Sequence, residues 1–103
     1  MIEIAVALAL TRVQVVVDEF TLTLSRQRVK RGPALLELAN FGEDDHDLRL
    51  RREATGARTF QISAVRPGTR RRLALTLKPG RYRLWCSLAD HRARGMEAIL
   101  VVR

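Results

Sequence analysis

Apolar and polar residues alternate along most of this chain, and the alternation breaks at turn signals about every ten residues. Val13, Val15 and Val17 stand one apart, Phe20, Leu22 and Leu24 alternate with threonines, and Arg72-Leu-Ala-Leu-Thr-Leu77 repeats the pattern. A period of two in β-branched and aromatic residues describes strands with one buried face. Gly32-Pro33, Arg66-Pro-Gly-Thr69 and Lys78-Pro-Gly80 punctuate them. With no convincing amphipathic helix in the chain, the reading is all-β: a single-domain Greek-key β-sandwich of seven to eight strands.

Further strands are expected over Ala34–Ala39, over His46–Leu50, over Arg81–Cys86 and over Glu97–Arg103. The Asp18-Glu19 pair is read as a kink or bulge between two strands. Residues 51–64 have no firm period and are left as a loop or short helical turn. At 103 residues the chain holds one core and has no room for a second folded unit of ordinary size.

The chemistry gathers in one stretch, Cys86-Ser-Leu-Ala-Asp-His-Arg-Ala-Arg-Gly-Met96. The chain has one cysteine, two histidines and one methionine besides Met1, and three of those four fall within these eleven residues. The fourth, His46, enters a strand from the acidic run Glu43-Asp-Asp45. A thiolate, two imidazoles and a thioether are the donors of a trigonal copper site with a weak axial sulfur. Zinc would call for four strong donors, and only three are present. The candidate ligands for one copper ion, cycling between Cu(I) and Cu(II), are therefore His46, Cys86, His91 and Met96.

A lone cysteine cannot form an internal disulfide, and ligation would protect a thiol left free in an oxidising space. The opening Met1–Leu10 is apolar, yet it carries Glu3 where a secretory signal has positive charge. Residues 1–11 are accordingly read as an N-terminal strand or the remnant of an export signal, and 12–103 as the copper-binding domain.

Net charge is +8, almost all of the basic residues being arginine. Such a balance steers acidic partners and anionic surfaces toward the protein. The arginines are dispersed among strands, with no recognition helix and few aromatics to stack on bases, which argues against specific nucleic-acid binding.

The order Asn40-x-Gly42, His46, Pro79-Gly-x-Tyr82-x-x-x-Cys86, His91, Gly95-Met96 and an apolar last strand resembles the cupredoxins, the blue copper proteins of the plastocyanin and azurin group. The Cys-x4-His-x4-Met spacing is most similar to the rusticyanin and sulfocyanin branch. This resemblance implies His46, Cys86 and His91 as equatorial ligands and Met96 as the axial one. Asp47 stands where many members have asparagine, a residue that ties the two ligand loops together. Ala89-Asp90 stands where a Pro-Gly pair is common.

What the resemblance implies is a type 1 copper protein that carries single electrons between redox partners. It would be periplasmic or otherwise extracytoplasmic, and monomeric. Arg92 and Arg94 beside His91 would meet a partner with an acidic docking surface, and the positive charge leaves room for peripheral association with a membrane. An open coordination position, which metal-hydroxide or Lewis-acid catalysis needs, is not expected, so the chain is not read as an enzyme. The alternative is copper delivery or storage by the same ligands, favoured by Asp90 and the acidic loop if they open the site.

Overall fold

The computed structural model describes residues 10–103. They form nine strands and no helix: β1 (Thr11–Asp18), β2 (Thr21–Leu24), β3 (Arg28–Val29), β4 (Gly32–Asn40), β5 (His46–Arg52), β6 (Thr59–Val65), β7 (Arg70–Leu77), β8 (Gly80–Trp85) and β9 (Glu97–Val102). The strand expected before Thr11 lies outside the described residues. No helix among the described residues is long and apolar enough to cross a membrane.

The strands make two sheets, ordered β2-β1-β4-β7 and β3-β9-β8-β5-β6. Hairpins join β1 to β2, β5 to β6 and β8 to β9, all antiparallel. Other connections change sheet, so β1 runs parallel to β4 and β3 parallel to β9. This is the expected sandwich, divided more finely because the polar stretch after Ser25 contributes the two-residue β3.

The alternation does what its period demands. Val13, Val15, Val17, Leu36 and Leu38 on one sheet face Leu48, Leu50, Leu84 and Leu100 on the other, all almost wholly shielded from water. Burying a side chain of this size stabilises by roughly 1.5–3 kcal/mol. A one-residue slip of any strand would turn that set outward, so the core also sets the register. Tyr82 is buried with them, and its hydroxyl accepts the Lys78 amide at 2.9 Å, pinning the Lys78-Pro-Gly80 turn ahead of β8.

Two segments differ from the sequence reading. Residues 59–65, left without a period, form β6, and the irregularity has a cause: His46 pairs with Val65 and Leu48 with Ile62. β6 thus takes three steps where β5 takes two, a bulge that shifts the buried positions out of strict alternation. The Asp18-Glu19 pair, expected as a kink or bulge between two strands, is divided between a strand end and a turn. Asp18 ends β1, and Glu19-Phe20 form the tight turn into β2.

Antiparallel pairing carries β5, β8 and β9 past one another. The start of β5, the end of β8 and the start of β9 therefore meet at one end of the sandwich.

Candidate metal centre

That end holds His46, the first residue of β5, and Cys86, the first residue after β8. His91 and Met96 follow on the loop to β9. His46, Cys86 and Met96 are fully buried and His91 retains 9% exposure. Cys86 Sγ lies 3.9 Å from His46 Nδ1 and 3.6 Å from His91 Nδ1. The three donor atoms fall within 4.8 Å of one another, the one such group of histidine, cysteine or carboxylate donors among the described residues.

These distances test whether an ion fits. A sulfur about 2.3 Å and a nitrogen about 2.0 Å from a first-row ion, at a trigonal angle, stand roughly 3.7 Å apart. The two sulfur–nitrogen separations bracket that value. One soft sulfur and two imidazoles in a dry setting suit a single copper ion. Burial pushes the Cys86 thiol upward from its ordinary range, while the amides of Leu88 and Asp47 act in the opposite direction. Desolvation thus disfavours a bare thiolate, which metal ligation would compensate.

The ligand loop is held by its own backbone. Cys86 N–H donates to Met96 C=O at 3.1 Å, Met96 N–H donates to His91 C=O at 3.1 Å, and His91 N–H donates to Leu88 C=O at 3.0 Å. These bonds fix three of the sequence-derived candidates relative to one another. Gly95 completes the turn at φ +121°, and a Cβ there would come within 3.2 Å of the Phe20 carbonyl. The Phe20 ring packs against His91, centroids 5.2 Å apart.

Asp47 ties the two ligand segments together. Its Oδ1 accepts the Ser87 amide at 2.6 Å and its Oδ2 accepts the Ser87 hydroxyl, coupling the residue after His46 to the residue after Cys86. Asn40 secures the approach to His46: its Nδ2 donates to the carbonyls of Asp44 and Val65, and its Oδ1 accepts the Gly42 amide, all at 2.8 Å.

Glu19 was missed by the sequence reading as part of this site. From the β1–β2 turn its carboxylate lies 3.1 Å from His46 Nε2, the ring nitrogen opposite the one facing Cys86. It also accepts the amides of Asp44 at 2.6 Å and Glu43 at 2.8 Å. Those amide bonds, Asp44's before Glu43's, with His46 adding to them, hold the Glu19 carboxyl at about 2, well below the ordinary range. A Cβ on Gly42 would come 2.5 Å from this carboxylate, so only glycine leaves it room. The one available signal was an acidic pair in a chain dominated by arginine, and the 27 residues from Glu19 to His46 hid its purpose.

The other flanking groups pair among themselves. Asp90 accepts Arg94 Nε at 2.7 Å, and Arg92 bonds Glu97 at 3.0 Å while its guanidinium lies 4.6 Å from the Trp85 ring centroid. Arg94 also covers the Phe20 ring at 4.8 Å.

No protein-family model matches the chain, and no curated protein matches it by sequence. Solved structures do. Reduced auracyanin from Roseiflexus castenholzii is similar over 90% of this chain and 97% of its own, at 15% identity and a TM-score of 0.74. Auracyanin A, a blue copper protein from the green thermophilic photosynthetic bacterium Chloroflexus aurantiacus, is similar over 90% and 98%, at 10% identity and a TM-score of 0.70. A multi-copper oxidase from Pediococcus acidilactici matches 98% of this chain but only 28% of its own, at 16% identity and a TM-score of 0.69. At such identities the likeness is one of fold: this chain has the β-sandwich of the blue copper proteins, and a buried His–Cys–His cluster at one end of it fits that group.

Proposed function

We propose that the chain is a type 1 copper protein that carries single electrons between redox partners. His46, Cys86 and His91 hold the ion equatorially and Met96 is the axial donor. Copper bound there supplies a one-electron couple whose potential depends on the axial sulfur and on the hydrogen bonds around the thiolate. The observation that carries this reading is the convergence of one thiol sulfur and two imidazole nitrogens, at trigonal spacing, from segments forty residues apart.

The protein's own groups are arranged for a site that does not rearrange. Backbone bonds clamp the Cys86–Met96 loop, Asp47 joins both ligand segments and Glu19 orients His46. Ligands held this firmly favour fast electron exchange, because neither oxidation state has to move them. His91, with the most exposure of the four and the Phe20 ring beside it, is the point of exchange.

Delivery or storage would favour an openable site, and the features that suggested one are otherwise engaged. Asp90 is paired with Arg94, and the amides of Glu43 and Asp44 are bound by Glu19. The reading is of a carrier and not an enzyme, since catalysis would need a further coordination position or a second metal. An extracytoplasmic home, a monomeric state and an acidic redox partner complete the reading.

The test is spectroscopic. Copper-loaded, oxidised protein should show an intense visible thiolate-to-copper band, narrow copper hyperfine splitting in electron paramagnetic resonance, and a reversible one-electron wave. Cys86→Ser should abolish the band. A colourless copper complex, or copper surrendered at each redox cycle to a competing chelator, would refute the carrier.

A further inference from the structure

We infer that the outer face of the five-stranded sheet, centred on Arg49, Arg51 and Arg83, docks an acidic segment of a partner protein. That the partner exchanges electrons rests on the function proposed above. The docking itself rests on charge.

Strand register puts Arg51 of β5 directly opposite Arg83 of β8, and Arg49 opposite Trp85. Like charges facing each other across a sheet are destabilising. Arg81 adds another guanidinium two residues along β8. Against this stand Glu53, which pairs with Arg83 at 2.9 Å and Arg81 at 3.5 Å, and Glu97, which pairs with Arg92. Arg49 and Arg51, both exposed, form no ion pair among the described residues.

On the opposite sheet Glu37 binds Arg70 and Arg72 and accepts from Gln14, much as Glu53 binds Arg81 and Arg83 here. Among the described residues no carboxylate pairs with Arg51 in the same way.

Arg51, Arg52, Arg83, Arg92 and Trp85 line an open cleft of about 370 Å³ together with Glu53, so four guanidinium groups there outnumber one carboxylate. Guanidinium forks bind carboxylates in paired, planar fashion, which makes such a cleft selective for acidic side chains. Its position ties it to the metal centre. Trp85 immediately precedes Cys86, and Arg92, stacked on Trp85, immediately follows His91. An acidic segment seated here lies beside the backbone that carries both ligands.

The experiment titrates the isotopically labelled full chain with an oligoglutamate peptide at low salt, with and without copper. Amide shifts should concentrate at Arg49, Arg51, Arg83 and Arg92 and at the Trp85 indole. Arg51→Ala with Arg83→Ala should weaken binding roughly tenfold, from ion pairs of ordinary surface strength. Arg26→Ala with Arg66→Ala, which removes the same charge from exposed turns, should change it less than twofold.

Equal losses in the two double variants, or shifts spread over both sheets, would overturn the inference. So would binding to phosphatidylglycerol vesicles that needs these arginines while oligoglutamate binding does not, since the occupant would then be a membrane. The copper spectrum of Arg51→Ala with Arg83→Ala should match the parent. A chain that never turns blue yet binds oligoglutamate through this cleft would sink the electron carrier and keep the docking surface.

Discussion

In the proposed site, Glu19 would change what His46 is as a ligand. An imidazole whose far nitrogen donates to a carboxylate is a stronger base at the nitrogen that faces the metal, and its ring cannot rotate. Replacing Glu19 by Gln keeps the shape and removes the charge. Copper affinity should fall about 10–100-fold, the usual scale for losing such a partner, and Cu(II) should lose more than Cu(I), so the reduction potential should rise. Competition with a chelator and voltammetry measure the two effects. Gly42→Ala should push the Glu19 carboxylate aside and shift both in the same direction to a smaller extent; an unchanged affinity and potential in Glu19→Gln would mean that Glu19 does not act on the site. Asp47 poses a different question, since it stands where the resembling family often has asparagine. An asparagine can accept the Ser87 amide and donate to the Ser87 hydroxyl, so Asp47→Asn should stay within about 1 kcal/mol of the parent in chemical denaturation and keep its spectrum. Asp47→Ala leaves two Ser87 donors without a partner and should cost about 1–3 kcal/mol.

At the level of strands, Glu37 on β4 anchors the solvent face of the four-stranded sheet. Bonding from Arg72, then from Gln14, lowers its carboxyl below the ordinary value of 4.5. A carboxyl depressed in the folded state contributes stability that is complete above its unfolded value and lost as pH falls through the folded one. Glu37→Gln should therefore destabilise the chain at pH 7 and leave it indistinguishable from the parent once the pH is well below 4.5. Unfolding midpoints across that range check the sign, and a difference that grows on acidification would contradict it. The same strands show what a linear reading can reach. β1, β2, β7 and β8 announce themselves because one face is buried against a single core, and that writes a period of two into the residues, whereas β4 and β9 show as apolar runs next to turn or loop residues. β6 does not, since its bulge moves the buried position from Ile62 to Val65. Arg28–Val29 is too short to carry any period, and its pairing with β9 is made across a stretch of unrelated sequence.

For the molecule as a whole, the site joins segments that only the finished sandwich brings together. The candidate ligands stood out in the sequence because soft sulfur and imidazole are scarce in this chain and three of them share one loop, and the fold brings His46, Cys86 and His91 together. Of their supports, Asp47 was pointed to by the family resemblance, while Glu19 stayed hidden because its contact with His46 spans 27 residues. That separation makes metal binding a reporter of folding. His46 and Cys86 meet only when the β4–β5 and β8–β9 connections are docked, so an ion that needs both binds the folded chain and far less the unfolded one. Free copper at about a thousand times its dissociation constant should then add roughly 4 kcal/mol to the unfolding free energy. His46→Ala removes one equatorial donor from a buried position and should destabilise the copper-free protein by itself, so the quantity to compare is the increment that copper adds. Parallel denaturation series with and without copper should give the full increment for the parent and little for His46→Ala, whose remaining donors belong to one loop that stays connected after unfolding. An undiminished increment in His46→Ala would mean that the ion is held by the Cys86–Met96 segment alone, and the long-range closure of the site at this end of the sandwich would play no part in binding it.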